Sequence, residues 1–338
     1  MTVPASTTSL EPLPRVGVRV PATIANVGPG FDSLGVALGL WLKVDAVLGP
    51  EDRFVYSGEG FIADSPDNFI HEGFRAACAA MKVSAPLVAF TVRNPIPLAR
   101  GLGSSSAALV AGAALADAIF HSRLGRDGVL RVCADLEGHP DNVAPAVLGG
   151  FTASAMGESG PVSVTLPWPE NWAILVAIPE FELKTSEARG ALPSHYSRAD
   201  AVYNLSRSAL WVAGVATRNP SVLREACLDR IHQPYRAPLV PGLKLALRAS
   251  LEAGASAAFL SGAGPSVGAV VATGNNSAGD WSNRTSQTDS TGYIKAVSDI
   301  LHAYSPRVLH LTGANGYQIV PTDGKQILPA IGVNNLGG

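Results

Sequence analysis

Alternation of apolar and polar residues near the start of the chain predicts two β-strands. The segments VGVRVPA (16–22) and LGLWLKVDAVL (38–48) are rich in β-branched residues, whereas GPGFDSLG (28–35) between them has the glycines and proline of a loop. Residues 68–81 carry apolar side chains at helical spacing, and residues 87–93 alternate like a strand. The first part of the chain therefore predicts strand, loop, strand, helix and strand in that order.

The segment PIPLARGLGSSSAALVAGAALADAIF (95–120) changes from a glycine-rich loop into an alanine-rich helix. A second helix is predicted over 128–136, and VAPAVLGGFTASAM (143–156) has the composition of a strand. A break at 159–161 is expected to separate two domains. The predicted division is a flexible tail at 1–14, a first domain at 15–160 and a second domain at 161–338.

The second half of the chain alternates predicted strands with amphipathic helices. Strands are predicted at 161–167, 172–179, 257–264, 266–272, 308–311 and 317–320, and helices at 198–218, 243–253 and 293–304. Residues 274–292 are polar and rich in glycine, serine and asparagine, which predicts a surface insertion. We interpret their NRT triplet, a match to a glycosylation sequon, as a chance occurrence.

Composition favours a compact globular protein and narrows its partners. Of the 338 residues, 47% are apolar and 15% are charged, and the formal net charge is −2, which argues against a nucleic-acid partner. The cysteines Cys78, Cys133 and Cys227 are too far apart to indicate a disulfide framework or a zinc site. We find no export signal at the start and no apolar run of membrane-spanning length, so we expect a cytoplasmic protein without a membrane partner.

The loop at 97–106, PLARGLGSSS, has the residues of a phosphate-binding site. Glycines let the backbone approach a ligand, and serines stand where the next helix begins with its free N–H groups. The alternative is an ordinary serine-capped helix after a glycine turn. The loop is not a Walker P-loop because it lacks the lysine, and it is not a dinucleotide fingerprint because Ser106 replaces the third glycine.

Three segments together resemble the GHMP kinases: PLARGLGSSS, PATIANVGPGFDSLGVAL (21–38) and AFLSGAGPSVGAVV (258–271). EGHPDNVAPAVLGGF (137–151), KTSEAR (184–189) with DAVYNLSRSAL (200–210), and HQPYR (232–236) are similar to the homoserine kinase branch of that superfamily. The resemblance runs in order from about residue 16 to residue 271. It is weak in the polar insertion and in the last forty or so residues.

The resemblance implies a two-domain α+β fold, with a first domain like the second domain of ribosomal protein S5 and a ferredoxin-like second domain. It implies a homodimer, and an ATP:L-homoserine phosphotransferase of threonine biosynthesis with ATP as co-substrate. The residues implied to contact ATP form one segment of the chain: Pro97, Leu98, Ala99, Arg100, Gly101, Leu102, Gly103, Ser104, Ser105 and Ser106.

The same resemblance implies an amino-acid pocket. An ammonium group is best bound by a carboxylate, for which Asp32 is the candidate, and a carboxylate is best bound by Arg189 and Arg236. Polar or close-approach positions of the family match further residues: Asn26, His139, Thr185 and Gly264. Taken singly, Asp32 could cap a helix, His139 could be an ordinary loop histidine and either arginine could be a solvated surface charge.

Phosphoryl transfer also requires Mg²⁺ and in-line positioning of the attacking hydroxyl. Ser105 or Ser106, together with Glu137, is expected to hold the ion. Asn142 matches the position where related kinases have an aspartate base, and an amide cannot accept the proton. The expected mechanism is therefore direct attack without a dedicated protein base, with Asn142, Glu137 and Ser105 as the catalytic residues.

Two other functions remain open from the sequence. The first is a GHMP kinase that acts on mevalonate or a sugar, against which the two arginines and Asn142 argue. The second is a ligand sensor that has kept the fold and lost the chemistry. The serines of the glycine loop and Glu137 argue against that sensor.

Overall fold

The computed structural model describes residues 14–272 and 290–322, and within these ranges the chain folds into two antiparallel-rich sheets covered by helices. The strands are β1 Arg15–Ala25, β2 Leu34–Leu48, β3 Arg53–Gly58, β4 Val88–Asn94, β5 Phe151–Gly157, β6 Gly160–Leu166, β7 Trp172–Ala177, β8 Ala257–Leu260, β9 Val267–Ala272, β10 Val308–Leu311 and β11 Gln318–Val320. The helices are α1 Phe69–Ala80, α2 Ser104–Ile119, α3 Gly125–Glu137, α4 Val143–Leu148, α5 Thr185–Gly190, α6 Arg198–Ala216, α7 Leu223–Ala226, α8 Gln233–Arg236, α9 Leu243–Glu252 and α10 Ser290–Tyr304.

The first sheet has the strand order β11-β1-β2-β4-β3, and β5 joins it by pairing with both β2 and β6. Only the β3–β4 pair among these described strands is parallel. The late strand β11 returns to β1, with Gly17 opposite Val320 and Arg19 opposite Gln318. The first sheet therefore combines strands from both ends of the described chain.

Helix α2 is buried on nearly all sides, as its almost unbroken apolar sequence requires. It packs against α1 at very short range because each helix has a glycine at the crossing. A Cβ on Gly73 would collide with the backbone carbonyl of Leu109, and one on Gly112 would collide with that of Ile70. The two glycines thus let α2 pack closely against α1 in the first half of the chain.

The second sheet has the order β10-β7-β9-β8, and all of its pairs are antiparallel. In chain order, helix α6 follows the first of these strands and α10 follows the third. This is the β-α-β-β-α-β arrangement of ferredoxin-like folds. The ferredoxin-like prediction for the second half is therefore confirmed.

Aromatic packing joins the two sheets in one core. Trp211 on α6 is fully buried, and its ring lies 6.1 Å from that of Phe151 on β5 and 5.9 Å from that of Phe259 on β8. Burying such large rings contributes several kcal/mol, on the order of 1.5–3 kcal/mol for each side chain. The loops that project from the two sheets are consequently held in a fixed relation.

Most predicted elements are confirmed, but one predicted strand is wrong in part, and β3 and the short helices α5, α7 and α8 have no predicted counterpart. Residues 143–148 form α4 and not a strand, because Pro145 is tolerated in a first helical turn and Gly149, at φ +80°, ends the helix. Strand β3 was not predicted, since RFVYSG is short and lies at the edge of the sheet.

The break predicted at 159–161 coincides with the turn of the β5–β6 hairpin, in which Gly157 pairs with Gly160. Strand β6 thus continues the first sheet, and the division of the chain into two domains at residue 160 stays a prediction. The predicted tail and most of the predicted insertion lie outside the described residues. Within the described ranges, no helix has the length and apolar character needed to cross a membrane.

Candidate active site

A cavity of about 610 Å³ opens where loops from the two halves of the chain meet. Its wall is built from the loop after β1, the N-termini of α1 and α2, the residues after α3, helices α5 and α8, and the turn between β8 and β9. Every site residue predicted from the sequence except Ser106 lines it: Asn26, Asp32, Pro97, Leu98, Ala99, Arg100, Gly101, Leu102, Gly103, Ser104, Ser105, Glu137, His139, Asn142, Thr185, Arg189, Arg236 and Gly264.

Three residues of the glycine loop have positive φ, namely Ala99, Gly101 and Gly103, and the two glycines also make close approaches that no Cβ would allow. Gly101 has φ +73°, and a Cβ there would collide with the backbone carbonyl of Ser261, whose hydroxyl donates to the Gly101 carbonyl at 2.6 Å. Gly103 has φ +66°, and a Cβ there would collide with the hydroxyl of Thr23. Gly103 is the N-cap residue of α2 and offers no side-chain cap. The positive end of the helix therefore faces the cavity with unused N–H groups. This arrangement suits a phosphate.

Arg100 lines the cavity, but its guanidinium is engaged by the protein. It donates to the carbonyls of Pro179 at 2.9 Å and Leu98 at 3.1 Å, and also to that of Glu180. Its ion pair with Glu182 spans 3.3 Å. These contacts fasten the glycine loop to the second half of the chain, and the predicted contact of Arg100 with ATP stays a prediction.

The two serines proposed as alternatives for the metal lie in different surroundings. Ser105 lines the cavity, whereas Ser106, one residue further along α2, is fully buried and outside it. The Ser106 hydroxyl has no well-formed hydrogen bond, although it lies close enough to Glu137 to counteract in part the burial that raises the pKa of that carboxyl. Successive residues of a helix point about 100° apart, which explains the difference.

Elsewhere in the wall of the cavity, Asp32 and Arg189 form a bidentate ion pair with distances of 3.0 and 2.6 Å. Asp32 is held at φ +55° by the loop, and its backbone N–H donates to the Asn26 side-chain oxygen at 3.0 Å. The Asn26 amide in turn donates to the Gly262 carbonyl at 2.8 Å. A zwitterionic amino acid carries the same two charges as this pair and could contact both.

Arg236 adds a second cation beside Arg189. Its side chain is only 1% exposed and donates to the Gly262 carbonyl at 3.1 Å and the Ala188 carbonyl at 3.3 Å. Burial and the nearby Arg189 lower the pKa of Arg236 to about 10. The Phe31 ring lies 5.4 Å from the Arg189 guanidinium and 5.3 Å from that of Arg236. Two converging guanidinium groups favour an anion such as a carboxylate.

His139 pairs with Asp141, a residue that the sequence analysis did not single out. The imidazole Nδ1 lies 2.6 Å from a carboxylate oxygen of Asp141. Burial lowers the pKa of His139, but the hydrogen bond and charge of Asp141 outweigh it, and the net pKa is raised. Ligand atoms of Asp32, His139 and Asp141 lie within 4.8 Å of one another, a possible metal site. Because Arg189 already neutralises Asp32, this cluster suits an ammonium group better than a metal ion.

Glu137 and Asn142 also line the cavity. Burial raises the pKa of the Glu137 carboxyl, and His139 counteracts this. The Thr23 hydroxyl donates to the side-chain oxygen of Asn142 at 2.8 Å. With its oxygen engaged, Asn142 has its NH₂ group left for a ligand, and this group can donate but not accept a proton.

The apolar part of the cavity was not predictable from the motifs of the sequence. Its wall here comprises aromatic and aliphatic side chains on β3, on the segment after it and at the start of α1: Phe54, Tyr56, Ile62, Phe69 and Ile70. The Asn68 side chain caps α1 by accepting from the N–H groups of Ile70 and His71 at 3.0 and 3.1 Å. An apolar surface next to such a glycine loop suits a nucleotide base. Recognising β3 from the sequence would have revealed it.

Comparisons with known proteins show the family to which the chain belongs. The chain matches the GHMP kinases N terminal domain over residues 68–150 and the GHMP kinases C terminal model over residues 214–280. It is 54% identical over 262 residues to a homoserine kinase of Thermus thermophilus, covering 78% of this chain and 88% of the relative. It is 45% identical to a homoserine kinase of Moorella thermoacetica, covering 74% of this chain and 85% of the relative.

Solved structures support the fold. A homoserine kinase from Cytophaga hutchinsonii superimposes with a TM-score of 0.75 at 24% identity, covering 94% of this chain and all of that one. A mevalonate kinase of L. major in complex with R-mevalonate superimposes with a TM-score of 0.63 at 13% identity, covering 93% and 99%. The two-domain α+β fold expected from the sequence is therefore confirmed at the level of architecture.

Proposed function

Because the chain belongs to the homoserine kinase family of the GHMP kinases, we infer that it transfers the γ-phosphoryl group of ATP to the side-chain hydroxyl of L-homoserine, a step of threonine biosynthesis. We propose that ATP lies with its base against Phe54, Tyr56 and Phe69 and its phosphates at the start of α2. The amino acid then lies at Asp32, Arg189 and Arg236.

One observation supports this assignment above the others: the glycine loop and the Asp32–Arg189 pair line the same cavity. A kinase must bring the attacking hydroxyl and the γ-phosphate together, and binding both in one cavity converts a bimolecular encounter into an intramolecular one. A mevalonate or sugar kinase has no need of a buried arginine next to a carboxylate–arginine pair, because its substrates lack the zwitterion.

We propose a direct mechanism. The homoserine hydroxyl oxygen attacks the γ-phosphorus in line, the bond to the oxygen bridging to the β-phosphate breaks, and ADP leaves. The hydroxyl proton goes to a phosphate oxygen or to water. Asn142 supports this mechanism because its oxygen is engaged by Thr23, so it orients the reacting groups by donating a hydrogen bond.

We propose that Ser105 and Glu137 hold Mg²⁺. A hydroxyl and a carboxylate are the hard oxygen donors that Mg²⁺ prefers, and a bound cation would offset the burial that raises the pKa of the Glu137 carboxyl. When bound, the ion would neutralise charge on the phosphates. Glu137 and Ser105 would supply the protein oxygens that hold it.

Replacing Ser105 by alanine is expected to raise the Mg²⁺ concentration needed for half-maximal activity by on the order of tenfold, with little change in the KM for homoserine. The matched control is Ser106→Ala, which removes the adjacent buried hydroxyl that lies outside the cavity. Titration of activity with Mg²⁺ at saturating homoserine measures the effect. A larger shift for Ser106→Ala than for Ser105→Ala would move the metal ligand to Ser106.

The proposed function is tested by ADP release from the purified protein with Mg²⁺ and ATP. L-Homoserine is compared with L-serine, L-threonine, mevalonate and galactose. Turnover that depends on homoserine is the expected result. Preferential turnover of another alcohol would overturn the pocket assignment, and no turnover with any of them would favour a ligand sensor.

We further propose a cytoplasmic homodimer. Strand β6 forms a described edge of the first sheet, and its side chains Val162 and Val164 are 65% and 62% exposed. An exposed apolar edge strand is stabilised when a second chain covers it. Sedimentation equilibrium of the protein measures its mass in solution, and a monomer at micromolar concentration would contradict the proposal.

A further inference from the structure

His232 is a buried histidine that contacts both Arg236 and the loop that carries Asp32, and it has no part in the proposed phosphoryl transfer. Its Nε2 lies 2.6 Å from the carbonyl oxygen of Gly28, and its Nδ1 lies 3.2 Å from a terminal nitrogen of Arg236. A carbonyl only accepts and a guanidinium only donates. His232 is therefore the neutral tautomer with its proton on Nε2, donating to Gly28 and accepting from Arg236.

The surroundings of His232 fix the orientation of its ring. The side chain is fully buried, and the Phe31 ring stacks on it with 5.6 Å between ring centres. Below it, the buried Asp229 carboxylate accepts from the backbone N–H groups of His232 at 3.0 Å and Gln233 at 2.6 Å. Asn204 donates to the same carboxylate at 2.7 Å. The imidazole is thus held by a stacked ring on one face, by hydrogen bonds at both ring nitrogens and by Asp229 at its backbone N–H.

The bonds of Arg236 define which part of its guanidinium remains for a ligand. Its Nε donates to the Ala188 carbonyl, and its first terminal nitrogen donates to the Gly262 carbonyl and to His232. The second terminal nitrogen has none of these protein partners. Since Arg236 lines the cavity, this nitrogen is the one suited to a substrate carboxylate.

We propose that His232 is a positioning residue that aims the Arg236 guanidinium at the substrate carboxylate and, through Gly28, ties it to the loop carrying Phe31 and Asp32. This inference rests on the proposed function. One imidazole then couples the subsites for the two charged ends of the amino acid. Its loss should affect homoserine binding and leave ATP binding unchanged.

A pH dependence follows from the same geometry. Protonation of Nδ1 would direct an N–H at the Arg236 guanidinium and break the bond between them. Burial is the largest effect on His232 and lowers its pKa, and the charge of Arg236 lowers it further. The charge of Asp229, 3.7 Å from Nε2, the hydrogen bond to Gly28 and the charge of Asp32 act in the opposite direction. The net pKa of His232 is lowered. The part of the KM for homoserine that depends on His232 should therefore be constant near neutrality and rise in acid, whereas His139, with its raised pKa, titrates at higher pH in the wild type and in His232 variants alike.

His232→Leu and His232→Gln provide the test, because leucine removes both hydrogen bonds and glutamine retains one acceptor and one donor. We expect His232→Leu to raise the KM for homoserine by roughly 10- to 100-fold, with the KM for ATP and kcat within about threefold of wild type. His232→Gln should recover most of the affinity. Its KM for homoserine should also lack the acid-dependent rise of the wild type.

The outcomes separate this inference from the proposed function. Failure of the wild-type protein to phosphorylate homoserine would overturn both, whereas an active wild type with an unchanged KM in His232→Leu would overturn the positioning role alone. Equal losses in kcat and in both KM values would show a merely structural role. If His232→Leu does not fold, His232→Asn replaces it: asparagine is too short to bridge Gly28 and Arg236, and a KM equal to that of His232→Gln would contradict the inference.

Discussion

Replacing Arg189 by alanine is expected to lower kcat/KM for L-homoserine by about 10²- to 10³-fold, while the KM for ATP stays within about threefold. The substitution removes the cation proposed to bind the substrate carboxylate. It also leaves the Asp32 carboxylate without the cation that contacts it at 2.6 and 3.0 Å. Steady-state kinetics with each substrate varied in turn measures both effects.

Two further variants serve as comparisons for Arg189→Ala. Arg189→Lys keeps the charge but not the two-pronged geometry, so it should recover only part of the activity. Arg248→Ala removes an arginine whose ion pair with Glu252 lies on the exposed surface of α9, and it should behave as wild type. An Arg189→Ala enzyme with a normal KM for homoserine would exclude Arg189 from the substrate site.

Gly101→Ala is the second substitution with a large expected effect, on the order of a hundredfold loss in kcat/KM for ATP. The new methyl group would collide with the Ser261 carbonyl, so the glycine loop must move away from the turn between β8 and β9. A shift of about 1 Å is enough to misplace the phosphates. The KM for ATP and the affinity for ATP measured by calorimetry should both reveal it.

Gly125→Ala is the matched control for Gly101→Ala. Gly125 has a similar φ of +63°, but a Cβ there would meet no atom within 4 Å. It should therefore reduce stability by the backbone strain alone, about 1–2 kcal/mol, and leave the use of ATP unchanged. Equal kinetic losses in the two variants would attribute the effect to general destabilisation and not to the glycine loop.

The candidate site was largely predictable because its residues belong to short contiguous motifs. Gly101, Gly103 and Ser105 lie within a few positions of one another, and local chemistry dictates a helix start after a glycine turn. The same is true of Asp32 in its loop and Arg189 in its short helix. Because these motifs occur in the order and spacing of a known family, their residues could be assigned to one site before the packing of the chain was known.

What escaped prediction depends on contacts between distant parts of the chain. The ion pair between Asp32 and Arg189, which are 157 residues apart, exists only after both halves have folded. The direction of the Arg100 guanidinium and the burial of Ser106 likewise depend on packing and on where α2 begins. The role of His232 was not predicted, because nothing in the local sequence indicates that its side chain contacts Gly28.

The errors in secondary structure have a related cause. The apolar segment 143–148 suits a buried strand or a buried helix equally well, and hydrophobicity alone cannot distinguish them. Strand β3 has six residues and lies at the edge of the sheet, where β4 is its only neighbour among the described strands. Tertiary context decides in both places.

The pairing of β11 with β1 also affects how the protein is made. The Arg19 side chain donates to Gln318, 299 residues later, so the first sheet receives one of its strands only when nearly the whole described chain has been synthesised. A ribosome adds roughly 5–20 residues each second, so β1 waits on the order of tens of seconds for this partner. During that interval the nascent chain has an unpaired strand edge, which exposes it to aggregation and makes it a candidate for protection by chaperones.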